Sequence, residues 1–155
     1  MSKIKTFKGQ LPVGIQQKLH LATADGLTGY RINRFELIGS TPGVNNAEYI
    51  GQIFLTDQTG SISTNVDFNN TDLLAVNYLI ENASSAVPTS SIIIFDKEMF
   101  NQDIFVNITD ASGGTVPCNY YIELEQFKID LNTSTYQTLK NIRSAKQVWV
   151  QQSIT

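Results

Sequence analysis

A chain of 155 residues suits one domain and can bury roughly two thirds of the surface it exposes when unfolded, so it needs neither disulfides nor a metal to fold. Charged residues make up 16% of it and hydrophobic residues 41%, with Asn, Ser, Thr and Gln standing where charge usually would. The net charge of −3 weighs against a dedicated nucleic-acid binder, which would gather phosphates on a basic face.

The chain begins with Lys3, Lys5 and Lys8 alternating with Ile4 and Phe7. Residues 1–14 are expected to form an N-terminal arm, solvated in the simplest reading and laid on a neighbouring subunit in the sharper one. No apolar run after Met1 reads as a signal peptide and none is long enough to span a membrane, so synthesis in a cytoplasm is expected. The Asn-x-Ser/Thr triplets at Asn69, Asn82, Asn107 and Asn132 then read as coincidence in an Asn- and Thr-rich chain.

Alternation predicts strands. Ile15, Gln17, Leu19 and Leu21 share one parity, and Asp25-Gly26 turns the chain into a second strand over 28–38. There Tyr30 and Ile32 sit on one parity and Phe35 and Leu37 on the other, which predicts a β-bulge near Asn33-Arg34. After a breaker at 39–46, a strand is expected over 49–56 and a polar loop or weak edge strand over 57–70; residues 73–80 read as a strand, with a helix capped at Thr71-Asp72 as the alternative. The run Ile92-Ile93-Ile94 reads as a strand buried on both faces, where Ile93→Asp should unfold the domain. Ile104, Val106 and Ile108 alternate cleanly, and residues 110–114 read as a hairpin turn into a long strand over 118–131. In that strand Tyr120, Ile122 and Leu124 change parity with Phe127, Ile129 and Leu131, predicting a bend or bulge near Glu125-Gln126. Asn132 is expected to cap a short helix bearing Tyr136, Leu139 and Ile142, and residues 147–154 to form a last strand or a docking tail around Trp149.

Seven or eight strands and one convincing helix predict an all-β fold, a single-domain β-sandwich of jelly-roll type with one short C-terminal helix. The expected divisions are an arm (1–14), the sandwich (15–131) and a C-terminal helix and tail (132–155).

Chemistry is hard to find. One His (His20) and one Cys (Cys118) cannot supply a zinc site. A Cys118–His20 pair lacks any nucleophile motif, and no Gly-x-Ser-x-Gly elbow is present. Asp57, Asp67, Asp72, Asp103 and Asp110 do not follow a calcium-loop spacing and read as turn residues. Glu123 and Glu125 share one strand face, where like charges could raise a pKa; a solvent-facing strip is the simpler account. No catalytic residue, metal or cofactor is expected. Tyr120 and Tyr121 must point to opposite faces of their strand, leaving one exposed. Exposed Tyr and Trp favour contact surfaces, so the candidate interface residues are Lys3, Lys5, Phe7, Lys8, Tyr121 and Trp149.

The segments Ile93–Val106 and Cys118–Glu125, together with Gly29–Ile32 and Thr138–Arg143, are similar to uncharacterised virion structural proteins of marine bacteriophages, and the likeness runs over most of the chain. That resemblance implies a small capsid-associated protein (minor capsid, decoration or connector type) with a jelly-roll-like fold, located in the virion after synthesis in the host cytoplasm. It implies other virion proteins and further copies of the same chain as partners, and assigns no functional residue. The alternative is a carbohydrate-binding jelly roll, lectin-like or at a tail tip, with a glycan as partner. Membrane and nucleic acid are not expected as partners.

Overall fold

The computed structural model describes residues 2–43, 46–81, 89–95 and 98–140. Among these, eight strands form two sheets: β1 (Lys3–Leu11), β2 (Gln16–Leu19), β3 (Thr28–Gly39), β4 (Ala47–Phe54), β5 (Leu73–Glu81), β6 (Thr89–Ile94), β7 (Ile104–Asp110) and β8 (Cys118–Lys128). Residues 131–140 are helical. The three-stranded sheet runs β1-β8-β3 and the five-stranded sheet β2-β7-β4-β5-β6, every pairing antiparallel.

The strand order is that of a chain folded in half and then rolled. Strand β1 pairs with β8, β2 with β7 and β4 with β5, which is the jelly-roll arrangement. Its one departure is β6, which hydrogen-bonds to β5 rather than to β3. The place beside β3 is taken at Tyr30 by Phe100, whose backbone exchanges two hydrogen bonds with it (2.8 and 3.0 Å).

Alternation on each strand builds the core between the sheets. Phe35, Ile122 and Leu124 of the three-stranded sheet meet Ile53, Ile104, Val106 and Ile108 of the other, all essentially without exposure. Each such side chain contributes about 1.5–3 kcal/mol of burial. Gly51 makes room at the centre: a Cβ there would lie 2.8 Å from Phe35 Cζ and 3.0 Å from Leu37 Cδ1. A smaller cluster of Ile50, Phe54, Leu73 and Val76, flanked by Tyr78 and Phe95, sits on the outer face of the five-stranded sheet.

The parity switch in β3 is a bulge at Asn33, since Ile32 pairs with Leu124 and Arg34 with Glu123. Other expectations are corrected. Residues 3–11 are not an arm but the edge strand β1, in register with β8 from Lys3↔Gln126 to Leu11↔Cys118, so the sandwich starts at Lys3 rather than at Ile15. Lysines spaced along an edge strand read in sequence like a solvated arm, because both need charge facing water. Ile15 is exposed, while Leu19 and Leu21 are buried. The run at 92–94 is the outer strand of its sheet, and Ile92 and Ile93 are 38% and 40% exposed. Residues 110–114 cross between sheets instead of closing a hairpin, because both edges of β7 are already taken by β2 and β4. Strand β8 keeps its register through Glu125-Gln126 on both sides, so no bulge interrupts it there.

The helix is capped by Asp130, whose Oδ1 accepts the Thr133 N–H (2.7 Å), and Asn132 lies inside it. It also docks with its polar side inward. Ser134 Oγ donates to the Gly26 carbonyl (2.6 Å), and Asn101 Nδ2 donates to the same carbonyl and to Thr138 Oγ1. Gly26, at φ 67°, turns that carbonyl toward the helix, a backbone setting that suits glycine. Leu131, Tyr136 and Leu139 therefore face outward and are exposed. Ile142, Trp149 and the strand or tail expected over 147–154 lie outside the described residues.

Candidate functional site

The residues singled out in the sequence do not form one surface. Lys8 and Tyr121 are register partners on the outer face of the three-stranded sheet. Lys5 and Phe7 have the opposite parity and lean toward the core rim, where Lys5 Nζ lies 5.5 Å from the Phe7 ring and 6.0 Å from that of Tyr30. Lys3 is exposed beside Gln126 at the start of β1, and Trp149 falls outside the described residues. Tyr120 is buried and Tyr121 faces outward, as consecutive strand residues must.

The outer face carrying Tyr121 is balanced in charge. Glu123 stands opposite Arg34 and Glu125 opposite Arg31, so each carboxylate of the pair has a guanidinium in register. Arg34 lies 3.6 Å from Glu36 and 5.8 Å from the Tyr121 ring, and Arg31 stacks 4.9 Å over Phe127. Opposed charges explain this strip without acid–base chemistry.

Cys118 and His20 sit at opposite ends of the sandwich. His20 reaches Asp103 just before β7 (4.0 Å), whereas Cys118 feels Asp110 at the end of β7, about 23 Å of strand away at ~3.3 Å per residue. Burial, with help from the nearby Glu81 carboxylate, pushes the Cys118 thiol up to about 12, which suppresses the thiolate. Burial first, then Cys118 and Glu81, likewise pushes the Tyr49 phenol up to about 12, and its hydroxyl donates to the Val116 carbonyl (3.0 Å).

Four of the five loop aspartates accept from backbone N–H groups. Asp57 accepts from Thr59 N (2.7 Å), Asp67 from Asn69 N (2.9 Å), Asp103 from Leu21 N and Ala22 N, and Asp110 from Glu48 N and Ser112 N. Asp72 Oδ2 accepts from the Thr56 hydroxyl (3.2 Å). Among the described residues no group of His, Cys, Asp and Glu comes together that could hold a metal.

The structure brings together a set of side chains that are far apart in the sequence. Gln16, Asn107 and Gln52 lie side by side on β2, β7 and β4, on the outer face of the five-stranded sheet. Loop 57–72 crosses over them. Gln16 anchors its start: Nε2 donates to Asp57 Oδ1 (2.8 Å) and Oε1 accepts from Gln58 N (2.7 Å). Gln52 Nε2 holds the middle by donating to the Asn65 carbonyl (3.3 Å). Side-chain-to-backbone turns at Asp57, Ser63, Asp67 and Asn70 shape the rest.

Between loop and sheet is a cavity of about 160 Å³ lined by Gln52, Asn107, Asn65, Asp67 and Asn70, with Ser61 and Ser63 beside them and Phe54 and Ile62 as apolar wall. Asn107 is 1% exposed and Gln52 3%, and Asn107 Oδ1 has no hydrogen-bond partner. A neighbouring cavity of about 340 Å³, walled by Leu55, Phe68, Leu73 and Phe95 and bordered by the Glu98–Lys140 ion pair, is largely apolar. Sequence offered one faint signal for the amide site, namely polar Gln52 and Asn107 inside otherwise apolar strands.

Comparison with known protein families, with curated proteins and with solved structures finds no match to this chain.

Proposed function

We propose that the protein is a structural component of a virus particle, associated with the capsid and working through protein–protein contacts, with further copies of itself and other virion proteins as partners. The edge of β6 carries this reading. An edge strand presents unpaired backbone donors and acceptors that invite another strand, and monomeric proteins guard such edges with lysine, proline or a bulge. Strand β1 is guarded in that way by Lys3, Lys5 and Lys8. Strand β6 (Thr-Ser-Ser-Ile-Ile-Ile) has no charge and no proline, and it exposes Ile92 and Ile93. Leu131, Tyr136 and Leu139 add a second exposed apolar strip on the helix. The charge-poor, Asn/Ser/Thr-rich composition and the resemblance to phage virion proteins point the same way.

Mass spectrometry of purified phage particles, paired with light scattering on the recombinant chain, tests the proposal. Recovery from particles in many copies, with a discrete oligomer in solution, supports it. Absence from particles together with a monodisperse monomer overturns it.

A further inference from the structure

We propose that the cavity between loop 57–72 and the outer face of the five-stranded sheet binds one neutral sugar unit. Two observations combine here. One is the space itself, about 160 Å³, equal to about five water molecules at ~30 Å³ each in the liquid and so monosaccharide-sized. The other is Asn107 Oδ1, an acceptor buried to 1% exposure on a residue lining that space and left without a partner. Buried amides ordinarily find partners, and an orphaned acceptor beside a cavity marks where a ligand donor belongs.

The lining selects among ligand classes. Side-chain amides offer a donor and an acceptor each, which matches hydroxyl groups that both donate and accept. A divalent cation needs about six or more oxygen ligands with carboxylates among them, and Asp67 is the lone carboxylate in the lining. A phosphate or sulfate would need Lys, Arg or a cradle of N–H groups; no Lys or Arg lines the cavity, and Asp67 would repel the anion. Phe54 and Ile62 offer apolar wall to the C–H face of a sugar ring. The site shares the outer face of the five-stranded sheet with Ile93 of β6, which Val76 of β5 separates from Gln52 in the same row.

The test is an NMR titration of the ¹⁵N-labelled full chain with the methyl glycosides of glucose, galactose, mannose and N-acetylglucosamine. Ethylene glycol and calcium chloride serve as controls. At least one glycoside is expected to shift the side-chain amide signals of Asn65, Asn70 and Asn107 saturably, with neither control doing so. Asn65→Ala, at an exposed loop position, should keep the fold by circular dichroism and weaken binding about tenfold, the worth of one hydrogen bond. No saturable shift with any glycoside, saturation by calcium at the same signals, or affinity unchanged in Asn65→Ala would each overturn the assignment.

Discussion

Gln52 and Asn107 face each other across β4 and β7, two buried amides on the side of the sheet turned away from the core. They can stay there because loop 57–72 roofs them, and the roof is tied down at its start by Gln16, their neighbour in the same row. Gln16→Ala removes three hydrogen bonds at the loop, to Asp57, Thr59 and Gln58, and none in the core, so the cost should be about 1–2 kcal/mol. Amide hydrogen exchange checks this. Exchange is expected to rise over residues 58–70 while β4 and β7 stay protected, and uniform acceleration would show that the loop and sheet open as one unit.

Gly51 is fixed by the packing of Phe35 rather than by backbone conformation. A methyl at 51 would come within 2.8 Å of Phe35 Cζ, and Phe35 is fully buried and cannot swing aside. Gly51→Ala should therefore destabilise by about 1–3 kcal/mol through overpacking. Adding Phe35→Leu should restore part of the loss, read as positive coupling in a double-mutant cycle by urea denaturation.

Much of this fold was legible because a strand with one buried face must alternate. Ile104, Val106 and Ile108 announced β7, and the parity change between Ile32 and Phe35 located the bulge at Asn33. Alternation carries no information about a strand's neighbours, however. Three consecutive isoleucines at 92–94 read as a strand covered on both sides, and an outer strand with partly open faces has the same pattern. The lysines of β1 hid a strand because edge protection and a solvated arm use the same residues. The docking side of the helix was not legible either: helical spacing of Tyr136 and Leu139 marks a helix but not the surface it meets, and that surface presents the Gly26 carbonyl and Asn101, which call for polar partners. Polar Gln52 and Asn107 stood out in apolar strands, but that they form a row with Gln16 was not legible, since the three meet only through sheet register.

The revised position of Ile93 changes what its substitution should do. At 40% exposure on an outer strand, Ile93→Lys places charge at the surface and should cost less than about 1 kcal/mol in the monomer. A lysine on that edge should also block strand addition. Under the proposed assembly through β6, sedimentation of the variant is expected to show monomer where the parent chain forms oligomers, with a melting temperature lowered by no more than about 4 °C. A variant that unfolds would return β6 to the buried interior, and one that still assembles would move the interface elsewhere.

Asp103 joins the end of β2 to the start of β7, and its ionisation ties stability to pH. Burial alone would raise its carboxyl, but the Ala22 and Leu21 N–H groups, aided by Lys18 at 3.5 Å, hold it below the usual value of 3.8. A carboxyl depressed in the folded state contributes stability that is present above 3.8 and lost as pH falls through the lower, folded value. Asp57, lowered chiefly by its Thr59 hydroxyl contact, adds to the same trend. The melting temperature should thus hold steady from pH 7 to about 4 and drop between about 4 and 2. Asp103→Asn keeps an acceptor oxygen for the two N–H groups but loses the charge facing Lys18 and His20. It should melt lower than the parent at pH 7 and converge with it at pH 2, where the parent carboxyl is itself protonated. Two curves that stay parallel down to pH 2 would mean that the Asp103 charge contributes nothing to the acid response, and that the loss of stability there comes from other carboxylates.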